Sequence, residues 1–312
     1  MKGIISMDRQ IALVSEAVEP DGGWGEWRPE PGYIYTGVPE RVYHSLPGIS
    51  KHGLDNINRS PAYYQYNRSH PKSDADSSDA LIIGSALDCL IFEPHEFDQR
   101  FIVEPENTDR RKRKEYAAWK EENANGRSIL RIKQWDDIRA MRDSVQAHPY
   151  AAALLADGIP QPTVCWKDSL ARVSDDREPT YRLCRGRLDW LATGHSVVVD
   201  LKTTAGDGGR YSNFSRAVHK FRYHVQESFY MAGLETVGYR VDVFVFLVVE
   251  KEPPHMVTIY ALDRPWQVQG QILWERDMQV YHECMKSGEW PSYPSEPRML
   301  EFPKWAERMD IS

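Results

Sequence analysis

The chain has 312 residues, enough for one large or two ordinary domains and for a substantial core. An apolar content of 41% with ten tryptophans excludes disorder as its overall state. A formal net charge of −7 excludes a protein that coats polyanions through its overall charge, so any contact with phosphate must be local.

Residues 1–40, rich in Gly, Pro and acidic residues, read as an N-terminal arm or loosely ordered tail, leaving 41–312 as the folded domain. The first residues hold no apolar core long enough for a signal peptide, and no run approaches the roughly 18 apolar residues of a membrane span. Cys89, Cys165, Cys184 and Cys284 lie far apart with no Cys-x-x-Cys, which predicts reduced thiols in a cytoplasmic protein. Helical signals begin at Ser50, a cap preceding Leu54 and Ile57. Asp74–Asp79 is a polar loop, and Ala80–Phe92 reads as a buried helix in which Asp88 stands almost alone. An unpaired buried carboxylate costs several kcal/mol, so Asp88 is expected to meet a cation. Gly84, one turn earlier, leaves room for close approach of a sheet or of nucleic acid.

Residues 110–157 read as helical, starting from the basic run Arg110-Arg111-Lys112-Arg113-Lys114 with Lys120 and Arg127 beyond it. By itself such a run is more often a solvated helix face than a binding patch. Strands follow near Val164–Trp166, Arg182–Leu191 and Ser196–Thr203, then a flexible connection, Ala205–Arg210, whose glycines fit no phosphate-loop spacing. Helices near Tyr211–Lys220 and His224–Val237 lead to Val241–Val249, an apolar run expected to be a central strand buried on both faces. A strand at Val257–Leu262 and an amphipathic helix over Pro265–Met285 complete an α/β chain without internal repeats.

Chemistry concentrates at the two strands around Ala192-Thr193-Gly194-His195, which has a hairpin pattern. A turn centred on Thr193-Gly194 pairs Ala192 with His195, sets Asp189 opposite Val198 and Arg187 opposite Asp200. Alternation then gives Asp189, Asp200 and Lys202 one face, and Leu188, Trp190, Val197, Val199 and Leu201 the other. Clustered carboxylates resist ionising together unless a cation joins them, and a hard ion such as Mg²⁺ suits oxygen ligands. Lys202 would hold an attacking water or neutralise charge developing on a phosphate. A lone Asp-x-Lys is more often a minor surface ion pair; the upstream Asp on the matched face changes that balance.

Gly186-Arg187-Leu188-Asp189, Asp200-Leu201-Lys202-Thr203-Thr204 and Gln226-x-x-x-Tyr230 resemble the PD-(D/E)XK nuclease core, in particular its RecE-type exonuclease VIII branch of phages and prophages. The resemblance extends to Pro47–Lys51, Ser60–Tyr64, Gly84–Pro94, His148-Pro149, Trp290-Pro291-x-Tyr293 and Phe302-Pro303-x-Trp305-Ala306. Two positions depart from it. Relatives usually carry His in place of Asp88, and often an acidic residue in place of Pro162. Related nucleases that hold an iron–sulfur cluster use three closely spaced late cysteines, and this chain has one.

The resemblance implies an α/β fold with a mixed central sheet flanked by helices and an N-terminal helical portion. It implies a metal-dependent exodeoxyribonuclease that degrades one strand of duplex DNA from its end, 5′ to 3′, in recombination. Asp88, Asp189, Asp200 and the carbonyl of Leu201 would ligate Mg²⁺, with Mn²⁺ as a substitute. Lys202, Gln226 and Tyr230 would line the site with them. It also implies a ring-shaped homo-oligomer and a single-strand annealing protein as partner. A structure- or site-specific endonuclease on the same core, or a catalytically weak DNA-end-binding protein, are the alternatives. Beside these motifs, the basic run reads equally as a solvated face or as a DNA contact.

Overall fold

The computed structural model describes residues 23–70, 78–106, 108, 110, 112–168 and 181–302. Residues 1–22 of the expected arm, most of the Asp74–Asp79 loop, Arg111, and the Pro303, Trp305 and Ala306 positions of the resemblance lie outside the described residues.

The elements, in order, are β1 (Tyr33–Tyr35), α1 (Glu40–Ser45), α2 (Lys51–Arg59), α3 (Pro61–Ser69), α4 (Asp79–Phe92), α5 (Phe97–Arg100), β2 (Phe101–Val103), α6 (Arg113–Asn123), β3 (Ser128–Leu130), α7 (Ile132–Ala147) and α8 (Pro149–Leu155). They continue with β4 (Ile159–Pro160), β5 (Thr163–Asp168), β6 (Arg182–Arg187), β7 (Trp190–Ala192), β8 (Val197–Thr204), α9 (Tyr211–Lys220), α10 (Tyr223–Thr236), β9 (Val243–Glu250), β10 (Val257–Ala261) and α11 (Arg264–Ser287). A five-stranded sheet runs β10-β9-β8-β7-β4, in which β8 and β9 are parallel and the other neighbours antiparallel. This is the mixed central sheet of the expected fold.

Alternation along β8 and β9 sorts side chains into two cores. Val198, Phe244, Phe246 and Val248 pack with Phe214 and Val218 of α9, Phe229 of α10, and Trp274 and Met278 of α11. Val197, Val199, Val245, Leu247 and Val249 pack on the other side with Ala86 and Leu87 of α4 and Ile138, Met141 and Val145 of α7. Burial on both faces explains why the Val241–Val249 run lacks alternation. Two helices supply the tightest crossing: a Cβ on Gly270 of α11 would lie 2.1 Å from the His224 carbonyl oxygen of α10. Ser50 caps α2 as expected, accepting from the Gly53 N–H at 3.3 Å.

Three local expectations are corrected. The stretch 110–157 is not one helical region, because β3 interrupts it and pairs in parallel with β2. The strand read over Arg182–Leu191 is broken: β6 pairs with β5 in a separate three-stranded sheet, β1-β5-β6, and after Leu188 and Asp189 the chain enters the main sheet as β7. Arg187 therefore faces Thr163 across the ladder and not Asp200. Leu188, 1% exposed, packs in the Val198 core, on the side opposite to the one expected.

The hairpin register is the third. Ala192 pairs with Val197, Leu191 with Val198 and Trp190 with Val199. Ser196 takes a left-handed backbone (φ 51°) and the His195 N–H bonds to the Ala192 carbonyl, so the loop is longer than a two-residue turn. The slip is even, so the separation of Asp200 and Lys202 from Val197 and Val199 survives. Within the stretch read as an arm, Tyr33–Tyr35 pairs with β5, and Ile34 is 1% exposed.

Candidate active site

The β7–β8 ladder ends at Trp190 and Val199, and the site forms where it ends. Asp200, 1% exposed, is the next residue of β8. Its Oδ1 accepts from Gln226 Nε2 of α10, and its Oδ2 meets Lys202 Nζ, which also lies 4.7 Å from the centre of the Tyr223 ring. Asp189, at the step between the two sheets, accepts the Leu201 N–H on Oδ2 at 2.7 Å. Because the N–H and C=O of an extended residue point to the same side, the Leu201 carbonyl shares that open edge. Asp189, Asp200, Leu201, Lys202 and Gln226 are thus brought together.

Tyr230 stands one turn beyond Gln226 on α10, and its ring covers Gly186: a Cβ there would lie 2.9 Å from Tyr230 Cδ1. Burial, reinforced by the charges of Asp200 and Asp189, pushes the Tyr230 phenol well above its ordinary range. It is a neutral wall of the site.

Asp88 reaches the same place from α4, where its Oδ2 accepts from Gln161 Nε2 at 2.6 Å. Burial, and then the charge of Asp189, pushes the Asp88 carboxyl well above the usual carboxylate range. Asp189 is pushed up to about 7 by burial and by Asp200, although Lys202 and the Leu201 N–H oppose the rise. Burial would lower the Lys202 ammonium, but Asp200 and Asp189 more than offset it and hold it at about 12. Lys202 is therefore a fixed cation at neutral pH.

Among the described residues, no three His, Cys, Asp or Glu side chains are close enough to hold one ion by themselves. Asp88 feels the charge of Asp189, and Asp189 that of Asp200. The donor set nonetheless fits a hard divalent cation. Two crowded carboxylates resist ionisation next to each other, and Oδ1 of Asp88 and of Asp189 takes no hydrogen bond from the described residues. Asp88, Asp189, Asp200 and the Leu201 carbonyl are the groups that would hold it.

Several residues of the site were not anticipated. Gln161 also accepts from Arg187 Nε at 2.8 Å, and Arg187 Nη1 donates to the Val38 carbonyl at 2.9 Å. Arg100 bridges Glu93, at 3.1 Å, and Glu40, tying the end of α4 to α1. On the α2 side, Lys51 meets Asp55 at 2.7 Å and donates to the Phe221 carbonyl at 3.0 Å, while burial pushes its pKa down. Pro162 supplies only its carbonyl, which accepts the Leu188 N–H at 3.1 Å; the side chain at the site is that of its neighbour Gln161. The signal was present in the sequence as an amide next to the departing Pro162, but no periodicity marks such a residue.

Other readings fall outside the site. Gly84 is not required for close approach of the sheet, since a Cβ there would sit 3.9 Å from Thr203 Oγ1, an ordinary contact. In the basic run, Arg110 pairs with Glu104 at 2.7 Å and Lys112 with Glu115 at 3.4 Å, while Arg113 and Lys114 are exposed. The four cysteines are free and buried, and burial pushes Cys89 and Cys165 up to about 12. Among the described residues no helix is long and apolar enough to cross a membrane.

A mixed sheet flanked by helices, with Asp189, Asp200 and Lys202 where its ladder ends, is the PD-(D/E)XK nuclease fold. The chain belongs to the family described as a PDDEXK-like domain of unknown function (DUF3799), whose model matches residues 50–299. Its fold is similar to the crystal structure of a protein from Eubacterium rectale that carries the provisional description of an exonuclease: TM-score 0.54 at 15% identity, over 82% of this chain and 90% of that one. A second solved structure, SSO0001, aligns at 14% identity over 64% of this chain and 86% of that one, with a TM-score of 0.28, too distant in shape to carry an argument. No curated protein is significantly similar in sequence.

Proposed function

We propose that the protein is a Mg²⁺-dependent DNA exonuclease that degrades one strand of a duplex from its end, 5′ to 3′, in recombination. The observation that carries this reading is the grouping of Asp189, Asp200 and Lys202 at the open end of the β7–β8 ladder, with Asp88 linked to Asp189 through Gln161. A divalent cation, when bound, would polarise a phosphate and supply positive charge to it. Asp189, Asp200, Asp88 and the Leu201 carbonyl are the groups that would hold that charge in place. Lys202, kept protonated by its aspartates, orients a water or offsets charge building on the phosphate. Gln226 fixes Asp200, and Tyr230 seals the wall behind it.

The similar fold of the Eubacterium rectale protein, provisionally described as an exonuclease, accords with nuclease chemistry. The net charge of −7 supports a closed ring, because an acidic monomer has little electrostatic hold on a polyanion, and a ring retains DNA topologically. A single-strand annealing protein is the partner that such a product calls for.

The test is digestion of end-labelled linear duplex beside a covalently closed circle, with Mg²⁺, Mn²⁺ or EDTA. The reading requires release of nucleotides from the linear substrate with either metal, none with EDTA, and an intact circle. Cutting of the circle would establish an endonuclease instead, and metal-independent binding without release would leave only an end-binding protein.

A further inference from the structure

We infer that Gln161 is a positioning residue of the cation site, setting the Asp88 carboxylate toward Asp189 and tying it to the Arg187 guanidinium. The inference rests on the reading of Asp88 as a cation ligand. Gln161 has a left-handed backbone, φ 48°, which side chains other than Gly, Asn and Asp seldom adopt. It is 8% exposed and is held at three points. Its N–H donates to the Asp189 carbonyl at 3.0 Å, Nε2 to Asp88 Oδ2 at 2.6 Å, and Oε1 accepts from Arg187 Nε at 2.8 Å. One residue thus touches the backbone of one carboxylate, the side chain of another, and a half-buried arginine.

A strained backbone persists where its surroundings over-determine it, and such residues concentrate at functional sites. The amide has a donor and an acceptor pointing to opposite partners, so its orientation is fixed: reversing it would face Nε2 with a guanidinium and Oε1 with a carboxylate. With Oδ2 of Asp88 engaged, Oδ1 is the oxygen left for a cation, and α4 is locked against the junction of the two sheets. A flexible carboxylate would lose entropy on binding an ion; Gln161 removes that loss beforehand.

The experiment compares wild type with Gln161→Met, which keeps length and removes both hydrogen bonds, and with Gln161→Gly, which accepts φ 48° without strain. Mn²⁺ binding to the DNA-free protein is measured by calorimetry, together with the melting temperature without metal and turnover across a Mn²⁺ titration. The inference expects about tenfold weaker Mn²⁺ binding in Gln161→Met, a metal-free melting temperature lowered by no more than several degrees, and turnover restored to within twofold at saturating Mn²⁺. Binding within twofold of wild type overturns it. So does a turnover loss that saturating metal does not restore, which would make Gln161 catalytic or merely structural. If Gln161→Met does not fold, Gln161→Gly is judged by the same criteria. A wild-type protein that binds no Mn²⁺ would instead defeat the reading of the site itself.

Discussion

The ring of Tyr230 lies against Gly186 so closely that a Cβ added there would stand 2.9 Å from Tyr230 Cδ1 and 3.0 Å from Cε1. The Gly-Arg-Leu-Asp sequence therefore carries its glycine for packing: it lets α10 approach β6 and sets Gln226, one turn away, against Asp200. Gly186→Ala should cost about 1–3 kcal/mol, the usual effect of overpacking a filled site. A melting temperature lowered by several degrees, recovered in part by Tyr230→Leu, is the expected result. An unchanged melting temperature would show that the helix can yield.

The two residues of the Asp-x-Lys motif should separate chemistry from stability. Lys202→Met and Asp200→Asn keep side-chain volume and should lower turnover more than tenfold, a barrier rise of at least about 1.4 kcal/mol. Binding of duplex ends should change far less, because interactions made in the transition state govern the chemical step. Asp200→Ala is a harsher change than the sequence suggests. It leaves Lys202 largely buried without its partner, and breaking a buried pair costs about 3–5 kcal/mol. Its melting temperature should fall below that of Asp200→Asn. Turnover above a tenth of wild type in Lys202→Met would remove Lys202 from the chemistry.

How much of this site could be read in the sequence follows from how local each signal is. The shared side of Asp200 and Lys202 depends only on strand parity, so a register wrong by two residues left it intact. The left-handed Ser196, which lengthens the loop, has no compositional marker, since serine in a turn predicts several geometries. The strand break at Leu188 and Asp189 was hidden because both halves alternate alike, and only long-range pairing with β5 or β8 tells them apart. Gln161 and Arg187 were illegible for a related reason. Their partners, Asp88 and Val38, lie 73 and 149 residues away along the chain.

Asp88 provides a test of metal choice. Asp88→Ala should raise the Mg²⁺ concentration for half-maximal cleavage at least tenfold, or abolish cleavage. Asp88→His should retain activity and move preference toward Mn²⁺, since imidazole is the softer ligand. Titrations of both metals on the same substrate measure this. A wild-type Mg²⁺ response in Asp88→Ala would reduce Asp88 to a helix residue tied to Gln161.

Glu227 predicts a pH dependence of stability that is independent of the cation site. It is 2% exposed, its Oε1 accepts from Gln267 Nε2 at 3.1 Å, and its Oε2 lacks a hydrogen-bond partner among the described residues. Burial pushes its pKa up to about 7, with only the Gln267 bond acting the other way. A carboxyl whose folded pKa exceeds its unfolded value contributes stability below the unfolded pKa, near 4.5, and loses it as pH rises through the folded one. Between about pH 4.5 and 7 the ionised form becomes available to the unfolded chain but not to the buried group. Glu227→Gln is neutral at every pH and keeps the shape. It should melt close to wild type near pH 4.5 and above it at pH 8, in metal-free buffer containing EDTA. Equal melting temperatures at pH 8 would mean that water or a rearrangement already solvates the carboxylate, and that burial does not set its charge.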